Sequence, residues 1–296
     1  MKTTIVGMHG KIFSGEESEL SILHRLEKTG LDILVGNQSH KSDALSYFMK
    51  YLTGVDQHAS KSYFETNTDY IQYEITGELR CNSTVTVEDY NDLSQQLNSD
   101  IKAALPGPYS LAKLSKDNFY DNIHKRTEAF ARCLNTEMRA LQQAGCLRIA
   151  INEPALVQID YREDNSAFFD TLPLLLSGIN IETALYTYFG VIGGIHEKIY
   201  SSPFNIIGLD FVINERNWDF LMEFPEDKTL SFGIVDALNP ELESEEDLTD
   251  AIEMVAEMIP SERVIINPQC EIGFIPMEVS LSKIEQMVRK VNDFNS

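Results

Sequence analysis

The stretch that decides the fold is Cys146-Leu-Arg-Ile-Ala-Ile-Asn-Glu-Pro-Ala-Leu156. Its alternating apolar residues predict a buried strand, and Pro154 ends that strand because proline cannot donate to a sheet ladder. Asn152 and Glu153 then lie at the carboxyl end of the strand. In a barrel of alternating strands and helices, this end carries the groups that bind ligands and do chemistry. We therefore expect Asn152 and Glu153 to face a ligand; hydrogen bonding to the neighbouring loop is the alternative.

The composition predicts a globular protein that avoids nucleic acid. The chain has 296 residues, of which 43% are hydrophobic, and this is enough for a large core. Asp and Glu number 46 against 24 Lys and Arg, so the net charge of −22 repels phosphate backbones. No window reaches the ~18 apolar residues of a membrane span. The N-terminus reads as a strand rather than a signal peptide, so we expect a cytoplasmic protein.

The four cysteines are far apart in the sequence, at positions 81, 133, 146 and 270. They form no C-x-x-C pair, which excludes a zinc ribbon and argues against a disulfide framework. Cys133 and Cys146 fall on a predicted helix and a predicted strand, where a small buried hydrophobic side chain is expected.

Eight strand patterns alternate with helical patterns along the chain, with no linker or low-complexity run between them. This order predicts one (β/α)₈ TIM barrel of α/β class that covers residues 1–296 as a single domain. The predicted strands are residues 5–7, 31–36, 102–105, 146–152, 182–189, 205–210, 229–236 and 263–267. The main predicted helices are residues 14–29, 43–51, 88–98, 117–144, 166–176, 191–200, 214–222, 244–259 and 280–294.

Residues 54–100 interrupt this alternation. In two segments, 68–76 and 83–87, the side-chain pattern repeats every two residues, as in a β-strand. These segments flank Gly77, and this arrangement predicts a β-hairpin. We expect it to be an insertion after the second βα unit, lying over one barrel mouth.

Several segments resemble the catalytic barrel of cobalamin-independent methionine synthases. The opening stretch is similar to the family's Q-I-D-E-P-A-L segment. Residues 32–48, 105–110, 233–240 and 266–270 resemble, in the same order, its D-x-L-V-H-G-E-x-x-R-x-D-M-V-x-Y-F, L-x-G-P-x-T, G-x-x-D-x-H-S-P and V-N-P-D-C segments. The resemblance implies the barrel fold and a methyl transfer to the thiol of homocysteine. It also implies a methyl donor, such as methyltetrahydrofolate or a methyl-corrinoid, and a zinc ion that holds the thiol as thiolate.

The zinc ligands that the resemblance implies are only partly present. The family supplies His-x-Cys after the fifth strand, Glu after the sixth and Cys after the eighth. Here Tyr186 and Tyr188 replace the first pair, Asp210 replaces the glutamate, and Cys270 is unchanged. Asp210 and Cys270 are therefore the metal candidates, although zinc needs three or four donors and neutral tyrosine is a poor one. His9 and His40, which follow the first two predicted strands, are the candidates to replace the missing donors.

The implied amino-acid pocket has also changed. The glutamate and aspartate that face the homocysteine ammonium in the family correspond to Gln38 and Asn152, so two negative charges are replaced by neutral amides. Charge-assisted hydrogen bonds are about twice as strong as neutral ones, so these changes predict a different binding site. The predicted ligand-binding residues are Gln38, Asn152, Glu153, Tyr186 and Tyr188.

Two functions follow from these residues. One is a methyltransferase-like enzyme with altered or lost zinc-thiolate chemistry, in which Asp236 and Cys270 are the catalytic candidates. The alternatives for these two are a hydrogen bond from Asp236 to the next loop and a buried inert thiol at Cys270, which has no adjacent Lys, Arg or His to activate it. The other function is a non-catalytic relative that binds a small molecule or a partner protein.

Overall fold

The computed structural model describes residues 1–8, 18–38, 43, 45–64, 66–158, 164–213 and 215–296. Its strands and helices alternate along the chain, as the sequence predicts. The strands are β1 (Lys2–Thr3), β2 (Ile33–Val35), β3 (Leu52–Ser62), β4 (Asp69–Cys81), β5 (Asp100–Pro106), β6 (Lys116–Asp117), β7 (Arg148–Asn152), β8 (Glu182–Tyr186), β9 (Ile206–Asp210), β10 (Thr229–Val235) and β11 (Val264–Pro268). The helices are α1 (Glu19–Lys28), α2 (Ser46–Met49), α3 (Val87–Ser94), α4 (Pro108–Leu114), α5 (Ile123–Gln143), α6 (Ser166–Leu175), α7 (His196–Tyr200), α8 (Glu245–Met258) and α9 (Met277–Asn295).

Eight parallel strands form the barrel, in the order β1-β11-β10-β9-β8-β7-β5-β2. A parallel bridge between Thr4 and Ile33 joins the two outer strands, so the sheet is nearly closed. The central residues of β7, Ile149 to Ile151, are buried, as expected for a parallel strand that is covered on both faces. The predicted (β/α)₈ barrel is confirmed. None of the helices in the described ranges is both long and apolar enough to cross a membrane.

The insertion is a long antiparallel hairpin of β3 and β4, and its turn lies elsewhere than predicted. The register pairs Leu52 with Cys81 and Ser62 with Asp69. The turn expected at Gly77 is therefore wrong, because Gly77 lies inside β4. The register shifts between Thr53 and Val55 on β3, which pair with Arg80 and Ile75, so Gly77 lies in the extra residues of β4. Gly54, which packs closely against this stretch, has φ +83°. Gly77 therefore marks an irregular strand rather than a chain reversal.

The helices differ from the predictions mainly at their ends. Helix α4 was not predicted from the sequence, and it begins at Pro108, a position where proline's fixed φ suits a helix and its missing N–H is not needed. The long helix α5 begins six residues later than expected, where the Asn122 side chain accepts a hydrogen bond from the backbone of Lys125. The predicted helix that starts at residue 244 is confirmed as α8, and the Ser244 side chain caps it by accepting a hydrogen bond from the backbone of Asp247. Ser14, where the first predicted helix starts, lies outside the described residues.

Candidate ligand site at the barrel mouth

The site is centred on Asn152, the last residue of β7, and Glu271, which follows β11. The Nδ2 atom of Asn152 donates to Oε1 of Glu271 at 3.1 Å, and the two side chains are only 5% and 4% exposed. A carboxylate only accepts hydrogen bonds, so the Asn152 amide must turn its NH₂ group toward Glu271. This leaves the Oδ1 atom of Asn152 buried, with no hydrogen-bond partner within the described part of the chain. Such an acceptor is costly unless something donates to it.

Three tyrosines lie near enough to the Glu271 carboxylate for its charge to act on them. Tyr63 comes from the tip of the hairpin, Tyr47 from α2, and Tyr188 from the loop after β8, and all three are buried. Tyr63 and Tyr188 hydrogen-bond each other. Burial raises the pKa of each phenol well above its usual value, and the charge of Glu271 acts in the same direction. The three hydroxyls therefore stay protonated and uncharged beside the Glu271 carboxylate.

Gln38 follows β2 and links the residues after β1 and β2 to Tyr47 by hydrogen bonds. Its Oε1 atom accepts from the backbone N–H of Met8 at 2.7 Å, and its own N–H donates to Glu19 at 3.1 Å. Its side chain also hydrogen-bonds the hydroxyl of Tyr47. The predicted ligand residues Gln38, Asn152 and Tyr188 are therefore all placed around the same centre.

Aromatic rings cover this centre from the side of the hairpin. Tyr63 and Phe64 lie 6.2 Å and 5.9 Å from Phe189, between ring centroids, and Phe189 lies 6.1 Å from Phe274. Edge-to-face and tilted pairs at these distances are favourable. We call these four residues, Tyr63, Phe64, Phe189 and Phe274, the aromatic cap.

Tyr186 lies inside the barrel rather than at its mouth. Its hydroxyl accepts from Nζ of Lys102 at 3.0 Å and is 2.9 Å from Oγ of Ser231. Its ring packs on Gly208, where a Cβ atom would lie only 2.2 Å away from it. Burial lowers the pKa of Lys102 to about 7. Tyr186 thus belongs to an interior polar network, and a role in ligand binding stays a prediction.

Glu153 points toward the start of α4. Its carboxylate accepts from the backbone N–H of Tyr109 at 3.1 Å and from both the N–H and the hydroxyl of Ser110. Burial raises its pKa to about 8, although these hydrogen bonds act to lower it. The structure thus shows Glu153 bonded to the neighbouring loop and helix. Contact with a ligand stays a prediction.

The two carboxylates predicted for metal binding and catalysis also bond to backbone. Asp210 accepts from the N–H groups of Phe189, Val212 and Ile213 at 3.0–3.1 Å, and burial raises its pKa to about 6. Asp236 accepts from Leu238 and Asn239 in the next loop and from the side chain of Gln269. Their catalytic and metal-binding roles stay predictions.

The predicted zinc donors do not fit a zinc site as they are arranged. Of the two metal candidates, Asp210 is engaged by three backbone N–H groups, and burial, followed by the charge of Asp210, raises the pKa of Cys270 well above its usual value. The hydroxyls of Tyr186 and Tyr188 are occupied by Lys102 and Tyr63. The described residues contain no group of three His, Cys, Asp or Glu side chains able to hold a metal ion. The replacement candidates His9 and His40 lie outside the described residues.

Sequence reasoning missed Glu271, Tyr47 and Tyr63. A signal was present for Glu271, because a charged residue directly after the eighth strand and next to Cys270 lies at the end of the barrel where ligands bind. Nothing comparable marked the two tyrosines, which reach the centre only through the packing of α2 and the hairpin.

Eight parallel strands with surrounding helices, and buried polar side chains at the carboxyl ends of the strands, define a TIM-barrel protein. A family model described as "Cobalamin-independent synthase, N-terminal domain" matches residues 37–260, and this chain belongs to that family. The resemblance seen in the sequence is therefore confirmed for the family. The motifs in the sequence resemble those of the catalytic barrel of these enzymes, whereas the matching family model is that of their N-terminal domain.

Curated relatives match most of the chain at low identity. The methionine synthase of Thermococcus kodakarensis is 24% identical over 279 residues, which cover 93% of this chain and 81% of the relative. The 5-methyltetrahydropteroyltriglutamate–homocysteine methyltransferase of Streptococcus thermophilus is 27% identical over 235 residues, covering 77% of this chain and 30% of the relative. A solved B12-independent methionine synthase from Shewanella sp. W3-18-1, in complex with selenomethionine, has a TM-score of 0.83 at 21% identity and covers 99% and 98% of the two chains. At this identity the structural likeness shows the fold alone.

Proposed function

We propose that this chain binds a small amino-acid-like molecule at the barrel mouth, with the ligand's ammonium group held by Glu271 and Asn152. The observation that carries the proposal is the buried Oδ1 atom of Asn152, which lacks a partner in the described residues and lies beside a carboxylate. An ammonium group offers three donors and no acceptor, so it suits an amide oxygen next to a carboxylate. Charge-assisted hydrogen bonds of this kind are the strong ones.

Glu271 supplies a negative charge of the kind that the substitutions at Gln38 and Asn152 would have removed. By resemblance, the ammonium-binding carboxylates of the family correspond to the neutral Gln38 and Asn152. Glu271 comes from a different strand end but lies against Asn152. One negative charge is thereby restored beside the same amide, which supports a ligand with a cationic amino group.

The curated relatives indicate which amino compounds to test first. They are named methionine synthases, and the solved Shewanella relative carries selenomethionine. The phenols of Tyr47, Tyr63 and Tyr188 stay protonated, so they add no negative charge beside Glu271. A methionine-like amino acid carries the ammonium group that Glu271 and Asn152 would hold.

Methyl transfer is the second candidate function, and family membership favours it. The acceptor would be a thiol, and the donor a methylated folate or a methyl-corrinoid. That reaction needs a thiolate, and in the family zinc generates it. Of the four positions that correspond to the family's zinc ligands, Tyr186 and Tyr188 carry poor donors, and the described residues hold no group of three His, Cys, Asp or Glu side chains around Asp210 and Cys270. We therefore rank the binding of an amino compound above methyl transfer as the function of this chain.

Calorimetric titration tests the proposal. Purified protein is titrated with methionine, with homocysteine and with 4-(methylthio)butanoate, which lacks the amino group. We expect methionine to bind and the deamino analogue to bind at least about tenfold more weakly, because it forgoes a charge-assisted hydrogen bond worth ~1.5–3 kcal/mol. Glu271→Gln should weaken methionine binding by a similar factor, whereas Glu245→Gln, an exposed carboxylate in the first turn of α8, should leave it unchanged.

Two results would overturn the order of the two functions. Binding that does not distinguish methionine from its deamino analogue, or that survives Glu271→Gln unchanged, would remove the ammonium site. Stoichiometric zinc in the purified protein, together with methyl transfer to homocysteine from a methylated folate or a methyl-corrinoid, would make the second function the correct one.

A further inference from the structure

Two of the four cysteines, distant in sequence, meet in the structure. Cys81 is the last residue of β4 and is partly exposed, whereas Cys133 lies in the middle of α5 and is 4% exposed. Helix α5 packs against β4, and the Cys133 side chain lies close enough to interact with both the thiol and the backbone of Cys81, whose Sγ atom donates to the Ser83 carbonyl at 3.1 Å. The pair therefore joins the base of the hairpin insertion to a helix of the barrel.

The segment after Cys81 is held firmly on the same helix. Glu137, one turn beyond Cys133 on α5, accepts from the backbone N–H of Val85 at 2.8 Å and from that of Thr86 at 2.7 Å. It also accepts from the Thr86 hydroxyl at 2.8 Å. Residues i and i+4 share a helix face, so Cys133 and Glu137 both face the insertion. The two thiols therefore meet at a fixed junction rather than by chance approach of a loose segment.

The two thiols differ in reactivity. The interaction with Cys133 lowers the pKa of Cys81, while the same contact and burial raise the pKa of Cys133. The thiolate is the reactive form, and it must also be accessible. Cys81 meets both conditions. Cys146 and Cys270 do not, because both are buried and burial raises the pKa of each.

We infer that Cys81 and Cys133 form a reversible disulfide by exchange with a low-molecular-weight disulfide such as oxidised glutathione. The Cys81 thiolate attacks one sulfur of glutathione disulfide, forms a mixed disulfide and releases one glutathione thiolate. Cys133 then attacks the Cys81 sulfur, its proton passes to solvent, and the second glutathione leaves as thiolate. Two protein thiols are oxidised to one disulfide while one small disulfide is reduced to two thiols.

This bond would be a regulatory link rather than a structural framework. It would fix the base of the hairpin covalently to α5, while the tip of the same hairpin carries Tyr63 and Phe64 of the aromatic cap. A pair whose reactive member is exposed is also open to reduction by a small thiol.

Mass mapping of the full-length protein tests the inference. Protein incubated with an excess of glutathione disulfide is alkylated, digested without reduction and analysed for linked peptides. We expect a peptide pair joining Cys81 to Cys133, a mass loss of two hydrogens and the disappearance of two free thiols. Treatment with reduced glutathione should restore both thiols. A stable glutathione adduct on Cys81 with no link to Cys133, or no reaction at Cys81, would overturn the inference.

Matched variants separate the two steps. Cys133→Ser should stop the reaction at the mixed disulfide on Cys81, and Cys81→Ser should abolish reaction at both positions. Cys146→Ser, which alters a buried thiol outside the pair, should leave the linked peptide unchanged. Circular dichroism of each variant confirms folding, and the native-protein result stands independently of the variants. A link that involves Cys146 or Cys270 instead would contradict the assignment.

Discussion

The buried amine of Lys102 should make this protein less stable as the pH falls from 9 to 7. Its Nζ atom lies inside the barrel, where it donates to the Tyr186 hydroxyl at 3.0 Å, and burial lowers its pKa from 10.5 to about 7. In the unfolded chain the amine regains its ordinary pKa of ~10.4 and binds a proton that the folded state excludes. Protonation therefore favours the unfolded state between these two pKa values, and stability rises with pH across that window.

The size of the effect follows from the two pKa values. The linkage between proton binding and folding means that Lys102 lowers the free energy of unfolding by about 2 kcal/mol at pH 9 and by about 4 kcal/mol at pH 7. Lys102→Met removes the titrating group and keeps an unbranched apolar side chain of similar length. The Tyr186 hydroxyl retains Ser231 as a partner. We expect the stability difference between wild type and Lys102→Met to change by about 2 kcal/mol between pH 9 and pH 7, in favour of the variant at pH 7.

Urea unfolding followed by circular dichroism at pH 7, 8 and 9 measures this difference. Other titrating groups cancel, because both proteins contain them. Lys125→Met, at an exposed position in the first turn of α5, is the matched control and should show no pH-dependent difference. A stability difference between wild type and Lys102→Met that stays constant from pH 7 to pH 9 would show that Lys102 is not a neutral buried amine.

Three further substitutions test other parts of the structure by chemical denaturation. Gly208→Ala places a methyl group against the Tyr186 ring and should destabilise the barrel by about 3 kcal/mol; an unchanged unfolding midpoint would contradict this packing. Glu153→Gln replaces one acceptor oxygen with an NH₂ donor that faces the start of α4, and it should lower the free energy of unfolding by ~2 kcal/mol at pH 5. An unchanged free energy of unfolding would mean that Glu153 does not hold that helix. The pKa of Asp210 is raised from 3.8 to about 6. The free energy of unfolding of wild type should therefore fall by about 3 kcal/mol relative to that of Asp210→Asn as the pH rises through this window. If the two proteins showed parallel pH profiles of stability, the raised pKa would be refuted.

The barrel could be predicted because its strands carry their own stop signals. Pro154 fixes the end of β7, and the apolar alternation before it identifies a buried strand. The hairpin turn could not be placed, since glycine serves both turns and bulges, and only the strand pairing around Gly77 distinguishes them. Pro108 raised the same difficulty, because proline interrupts a helix but also begins one.

Only those residues of the candidate site that are placed by a single strand could be predicted from the sequence. Asn152 was found because it lies at the end of β7, which is a local property of the sequence. Its partner Glu271 comes from a loop more than a hundred residues later, and Tyr63 comes from a hairpin tip. Which loops meet over a barrel depends on packing between distant segments. Spacing within the sequence carries no information about that packing.

The aromatic cap has a consequence for how the chain acquires its native state. Its rings come from residues 63–64, 189 and 274, so most of the polypeptide must be synthesised before the cap can assemble. Until β11 has paired with β1 and β10, the hairpin tip has no complete surface to pack on, and its Tyr63 and Phe64 side chains face water. Contacts of such long sequence separation form late and slowly. During synthesis the hairpin tip therefore keeps two aromatic side chains open to chaperones and to self-association until the last strand has paired.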